Sequence, residues 1–197
     1  EAQIIELARE GVLVRVDAVG PEEPAPPLTI HLGIGVSKGE RMDFALQKAV
    51  ELGVAHITPL FTERSVVRLQ PDRLAKRMQH WRGIVIAACE QSGRRRIPVV
   101  QEAQSLAQWL DQNRTRAGLL LDHRAELALT DWQPPNATTR GEVTQGTAAQ
   151  GDRSAAGRES MTTIALLIGP EGGLSPTERE AAKASGWTAV RLGPRVL

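Results

Sequence analysis

The stretch Ile168-Gly169-Pro170-Glu171-Gly172-Gly173-Leu174-Ser175-Pro176-Thr177-Glu178 offers a ligand more backbone than side chain. Gly169, Gly172 and Gly173 can take positive φ and let a bound group approach the main chain, while Pro170 stiffens the turn. Upstream, Ile164 to Ile168 is an apolar run with strand character. Downstream, Ser175 and Glu178 form a capping box with Pro176 at the first helical position. A loop of this kind at the carboxyl end of a strand is where open α/β sheets usually bind ligands. A tight, well-capped strand-to-helix turn is the plainer reading. Neither G-x-G-x-x-G nor G-x-x-x-x-G-K-[ST] occurs, so dinucleotide and P-loop chemistry lack their motifs. A second Gly-Pro loop, Leu192-Gly193-Pro194-Arg195, follows the next expected strand.

A second concentration of chemistry lies between Glu63 and Arg96. Nine basic residues, Arg64, Arg68, Arg73, Lys76, Arg77, Arg82, Arg94, Arg95 and Arg96, stand there against three acids, Glu63, Asp72 and Glu90. The formal net charge of the chain is only +1, so this field is local. Arg94 to Arg96 follow Gly93, where a helix is expected to end, and cations there suit the helix dipole. Solvated charge and phosphate-backbone binding both fit such a run. Its confinement to one third of the chain favours the second.

The remaining sequence must position these groups. With 197 residues, 41% of them hydrophobic, the chain has room for one full domain and a fragment of another. No apolar run approaches the length of a bilayer span, and the first residues lack the basic-then-apolar order of a signal peptide. Cys89, the single cysteine, permits no internal disulfide and makes no metal site alone, which points to a reducing cytoplasm.

Strands and helices alternate along the chain. Val12 to Val16 reads as a strand, and the Pro-rich stretch from Gly20 to Pro27 reads as an interdomain linker. Strands are expected over Leu28 to Val36, Val54 to Phe61, Ile97 to Val100, Gly118 to Leu121, Ile164 to Ile168 and Thr188 to Leu192. Helices are expected over Glu40 to Leu52, from an Asp72 cap to Ser92, after Ser105, and over Pro176 to Ser185. Leu74, Met78, Trp81, Val85 and Ala88 share one face of the long helix, as core or as subunit interface. Residues 133–160 are rich in Gly, Ala, Thr, Gln and Pro and read as a flexible surface insertion. The pattern implies a mostly parallel α/β sheet with helices on both faces.

Six segments together resemble a known family: Ser37-Lys38-Gly39-Glu40-Arg41-Met42, Gln47 to Gly53, Thr62-Glu63-Arg64-Ser65, Ala88 to Arg94, Ile168 to Gly173, and Leu192 to Arg195. In order and spacing they are similar to the RsmE group of SPOUT methyltransferases over residues 28–197, apart from the insertion. Residues 1–20 resemble the last strands of the family's PUA-like RNA-binding barrel, with residues 21–27 as linker. The resemblance implies a deep trefoil knot at the carboxyl end, S-adenosylmethionine bound within it, and a homodimer. It implies methylation of N3 of a uridine in 16S ribosomal RNA, so the partner is that RNA or the assembled small subunit. Family members continue past Leu197 with a final helix, so a protein ending at Leu197 is expected to lack the element that finishes the knot.

For the cofactor, the first wall is expected from Leu121, Asp122 and His123 and the second from Ile168, Gly169, Pro170, Glu171, Gly172 and Gly173. Leu192, Gly193, Val196 and Leu197 are expected to form the third. His123 is otherwise a surface residue, and Glu171 either caps the adjacent helix or sits near the sulfonium. Methylating N3 requires an unpaired uracil, loss of the imide proton, and donors to the carbonyl oxygens on which charge builds; no metal is required. Arg94 and Arg195 are candidates for phosphate or uracil-anion contact and Glu90 for a base, although Glu90 could simply pair with Arg94. Lys38, Arg41, Arg64, Arg68, Arg94, Arg95 and Arg96 are the RNA-binding candidates, Lys38 and Arg41 being equally placed to cap the first helix. Two alternatives stand beside this reading: a non-catalytic RNA-binding or ribosome-assembly module on the same scaffold, and a SPOUT methyltransferase acting on another RNA.

Overall fold

The computed structural model describes residues 2–9, 11–21, 23–24, 26–65, 71–114, 116–134 and 162–193. Arg68, Pro194, Arg195, Val196, Leu197 and nearly all of the expected insertion lie outside the described residues.

A hairpin of β1 (Ala2–Ala8) and β2 (Gly11–Val16) opens the chain. A seven-stranded sheet follows, built from β3 (Leu28–Gly35), β4 (His56–Phe61), β5 (Val99–Val100), β6 (Gln104–Ser105), β7 (Ala117–Leu121), β8 (Thr162–Ile168) and β9 (Thr188–Val190). The strand order is β5-β4-β3-β8-β7-β9, with β6 also on β4, and every pairing is parallel. Parallel pairing forces a crossover between successive strands, supplied by α1 (Glu40–Glu51), α2 (Pro71–Ser92), α3 (Leu106–Gln112) and α4 (Pro176–Ala184). Because β8 inserts between β3 and β7, the loops leaving these three strands emerge side by side at one edge of the sheet. No helix among the described residues is long and apolar enough to cross a membrane.

The period of two along each strand divides the core between the faces. Leu32, Ile34 and Ile57 point toward α1 and α2 and bury Met42, Leu46, Met78, Trp81 and Val85. The stripe expected on α2 therefore belongs to the core. Leu60, Leu120, Ala165 and Leu167 point the other way, toward Leu106, Trp109, Ala182 and Trp187. Two glycines make room for the indoles: a Cβ on Gly33 would lie 2.5 Å from the Trp109 ring, and one on Gly118 would lie 2.5 Å from that of Trp187. The rings lie 5.0 Å apart, centroid to centroid, at a 45° tilt.

Element boundaries differ from the sequence reading where proline or pairing intervenes. Pro98 has no N–H to give, so β5 begins at Val99, whose amide bonds the Ala55 carbonyl at 3.0 Å. Asp72 lies in the first turn of α2 rather than before it. β1, the two-residue β6 and a 3-10 turn at Leu129–Asp131 carry too little periodic signal to have been expected.

On the α3 face, His31 and His56 are register partners with rings stacked at 4.0 Å. Burial, then the neighbouring His56 and Arg116 charges, push the His31 pKa down to about 4. Burial and Arg116 lower that of His56 as well. Folding thus favours the neutral rings, and the unfolded chain binds protons first as pH falls below about 6.5. Thermal melts should show stability intact above that pH and declining from about 6.5 toward 4, and His31→Gln should flatten the decline. In a second melt, Gly33→Ala should lose roughly 1–3 kcal/mol by overpacking against Trp109; native stability would show that the indole can move aside.

Candidate functional site

The glycine loop from Gly169 to Ser175 is a turn closed by the Gly173 amide on the Pro170 carbonyl at 2.7 Å. Of its three glycines, each able to take positive φ, only Gly173 does so, at +66°. Gly169 is required for space instead: its Cβ would lie 2.9 Å from the Leu174 amide nitrogen. Gly35 at the end of β3 is needed for the same reason, since its Cβ would lie 2.5 Å from Pro170.

Three neighbouring segments hold this loop. The capping box forms as expected, with the Glu178 amide donating to Ser175 Oγ at 3.1 Å and the Ser175 amide to Glu178 Oε2 at 2.8 Å. The other Glu178 oxygen accepts the Glu63 amide at 2.8 Å, joining the β4–α2 loop to the start of α4. Arg64 Nη1 donates to the Gly172 carbonyl at 2.8 Å. From the β3–α1 loop, the Lys38 amide and Arg41 Nη1 each reach Glu171 Oε1 at 3.3 Å. Glu171's own backbone N–H, then that of Lys38, the Arg41 charge and the Ser37 hydroxyl hold its carboxyl below the usual carboxylate range against the opposing effect of desolvation.

Between this loop and the end of β7 lies a cleft of about 270 Å³. The first two expected walls meet in it: Leu121, Asp122 and His123 face Ile168, Gly169, Pro170, Glu171, Gly172 and Gly173. Leu120 and Leu174 add apolar surface; Arg64, read from the sequence as an RNA contact, lies in the lining, and Arg124 and Arg179 enter unannounced by the sequence reading. Arg179 Nε lies 3.4 Å from Asp122 Oδ2, and its Nη1 donates to the Leu174 carbonyl at 2.8 Å. A cation beside the positive end of a helix is unfavourable for the helix itself, which was the available signal for Arg179. The lining combines apolar side chains, loop main chain, the carboxylates of Asp122 and Glu171, and the guanidinium groups of Arg64, Arg124 and Arg179. That set suits a flat heterocycle with a tail bearing charges of both signs, and so fits S-adenosylmethionine with its sulfonium, ammonium and carboxylate.

Leu192 and Gly193 follow β9 beside the cleft's β7 wall but do not line it. Val196 and Leu197 of the third wall, and Arg195, lie outside the described residues. The arginines after Gly93 are placed elsewhere. α2 has 22 residues and so spans about 33 Å, carrying Arg94 to the amino edge of the sheet, away from the cleft. There Arg94 Nη1 donates to the carbonyls of Val50 and Val54 at 3.0 and 3.1 Å. The Arg95 and Arg96 amides bond Glu23 Oε2 at 2.8 and 3.0 Å, while Arg95 Nη1 reaches the Pro21 carbonyl and Arg96 Nε that of Glu23. Glu90 is exposed one turn before Arg94, whose guanidinium is turned to these carbonyls. Of the basic field, Arg64 thus lies at the cleft, Arg95 and Arg96 fasten the linker, Arg94 ties the end of α1 to the start of β4, and Arg82 pairs with Glu102 from α2.

The chain is similar to known proteins over most of its length. Residues 24–197 match a family described as the RNA methyltransferase domain. A ribosomal RNA small subunit methyltransferase E of Buchnera aphidicola (from Schizaphis graminum) is 34% identical over 172 residues, covering 87% of this chain and 60% of the relative. The chain thus spans well under two thirds of that relative's length. Among solved structures, the ribosomal RNA small subunit methyltransferase E of Neisseria gonorrhoeae bound to S-adenosyl methionine is 33% identical with a TM-score of 0.76, covering 100% of this chain and 71% of that one. A Legionella pneumophila protein solved with bound SAM is 36% identical with a TM-score of 0.77 and the same coverage.

The carbonyl bonds of Arg94 make it a structural residue. Arg94→Ala should cost roughly 1–3 kcal/mol through two under-satisfied carbonyls and leave the salt dependence of RNA binding unchanged. A salt slope reduced by about one unit would return Arg94 to phosphate contact.

Proposed function

Since the chain belongs to the RNA methyltransferase domain family, we propose that it is the catalytic part of an S-adenosylmethionine-dependent ribosomal RNA small-subunit methyltransferase that modifies N3 of a uridine. The observation that carries this reading is the cleft between the glycine loop and the end of β7, in a chain whose neighbours of like fold were solved with S-adenosyl methionine. When bound, the cofactor supplies an electrophilic methyl group. Leu120, Leu121, Ile168 and Leu174 would shelter its apolar part, and Asp122 and Glu171 would face its positive charge. The loop, clamped from three sides, fixes the orientation that a displacement demands.

Finer features belong to the same proposal. Leu192, Gly193, Val196 and Leu197 would close the cofactor site, Arg195 would meet the RNA, and the carboxyl end would thread as a trefoil knot in a homodimer. Residues 1–20 would form part of a PUA-like barrel, a reading supported by the exposed Ile4, Leu7, Val12 and Leu13 of the hairpin. Residues 21–27 would be the linker, and residues 28–197 the methyltransferase domain with its insertion. The target would be 16S ribosomal RNA in the cytoplasm.

Calorimetric titration of S-adenosylmethionine should give saturable binding, abolished by Gly169→Val, whose side chain would displace the Leu174 backbone. Small-subunit RNA incubated with the protein and the cofactor should yield 3-methyluridine on nucleoside analysis. Cofactor binding without any methylated nucleoside would favour the non-catalytic scaffold, and a methyl group elsewhere would redirect the substrate to another RNA.

A further inference from the structure

A second cavity, of about 400 Å³, is lined by Lys38, Arg41, Arg64, Glu171 and Gly172. Arg64, Glu171 and Gly172 line both this cavity and the cofactor cleft, so the two spaces adjoin at these residues. We propose that this cavity is the subsite for the acceptor nucleotide, with Arg41 and Lys38 holding a phosphate and Arg64 acting as the residue common to both sites. The proposal rests on the methyltransferase reading and specifies where the RNA enters.

The charges support an anionic occupant. Three cations surround one lining carboxylate; of the two acids in the first turn of α1, Glu40 and Asp43, the second is turned to His80. Arg41 is mostly exposed, its side chain 74% accessible, and its one carboxylate contact is a long 3.3 Å. Glu171 keeps the Lys38 amide and its own N–H when Arg41 turns away, so Arg41 is available to a phosphate at little cost to the loop. α1 starts at Gly39 with no side-chain cap, its first amides lying beside Lys38 and Arg41. Uncapped amides at the positive end of a twelve-residue helix favour an anion and complete the donor set.

Arg64 differs from its two neighbours. Its Nη1 is spent on the Gly172 carbonyl, which leaves the rest of the guanidinium at the boundary between the spaces. A nucleotide seated in the second cavity would thus present its base where the two spaces meet, next to the methyl donor, as transfer requires.

The test measures two affinities on the full chain, for S-adenosylmethionine and for a short uridine-containing oligoribonucleotide over a range of salt. Arg41→Ala should weaken oligonucleotide binding about tenfold, reduce the salt slope by about one unit, and leave cofactor affinity within about threefold. Arg64→Ala should weaken both. Unchanged oligonucleotide affinity in Arg41→Ala, or no oligonucleotide binding by the unaltered chain, overturns the subsite. Loss of cofactor affinity in Arg41→Ala to the same extent as in Arg64→Ala also overturns it, since Arg41 then serves the loop alone. Failure of the unaltered chain to bind S-adenosylmethionine sinks the methyltransferase reading instead, and is seen separately.

Discussion

The carboxylate of Glu178 is the constraint on which the site depends. It is 8% exposed, and a buried carboxylate costs several kcal/mol unless its oxygens are bonded. Each oxygen takes a backbone amide, one from Ser175 and one from Glu63, 115 residues away in sequence. These are charge-assisted bonds, stronger than neutral ones, and they sit at the positive end of α4. The same side chain therefore caps a helix, closes the glycine loop and draws in the segment carrying Arg64. A loop whose chief asset is exposed backbone has few side chains to hold it, so its shape has to be imposed from outside.

The sheet beneath is built to allow the same closeness. Gly35 lets Pro170 lie on the end of β3, and Gly33 and Gly118 let Trp109 and Trp187 settle onto the sheet. Missing side chains thus work as spacing devices at two levels, under the aromatic layer and under the ligand loop. With β8 inserted between β3 and β7, the loops after all three strands converge, and the cleft and the second cavity adjoin at one short piece of chain.

Much of this was legible in the sequence where local chemistry decides structure. The capping box at Ser175 and Glu178, the long α2 stripe and the alternation of strands and helices all depend on residues close together, and all appear in the fold. The two walls from Leu121 to His123 and Ile168 to Gly173 were legible because strand ends in a parallel sheet gather at one edge. The partners of the glycines were not. All three loop glycines could take positive φ, but whether a glycine serves dihedral freedom or space depends on what faces it: the turn folds the Leu174 amide back onto Gly169, and Arg64 reaches Gly172 only through the tertiary fold. Glu178's second bond and Arg179's reach to Asp122 are long-range in the same way.

The arginines make the distinction sharpest. A run of cations states how much charge is present but not which acceptors the fold will bring to it. Arg94 meets the Val50 carbonyl at the end of α1, which also accepts the Gly53 amide, and the Val54 carbonyl just before β4. Arg95 and Arg96 meet Glu23, whose carboxyl is held below its usual range by their amides and by the nearby guanidinium charges. Arg41, by contrast, meets one carboxylate already supplied with other donors and stays largely in solvent. A cation becomes available to a phosphate when the chain's own acceptors leave its donors unspent, and in this fold that condition is met beside the glycine loop rather than at the triple arginine.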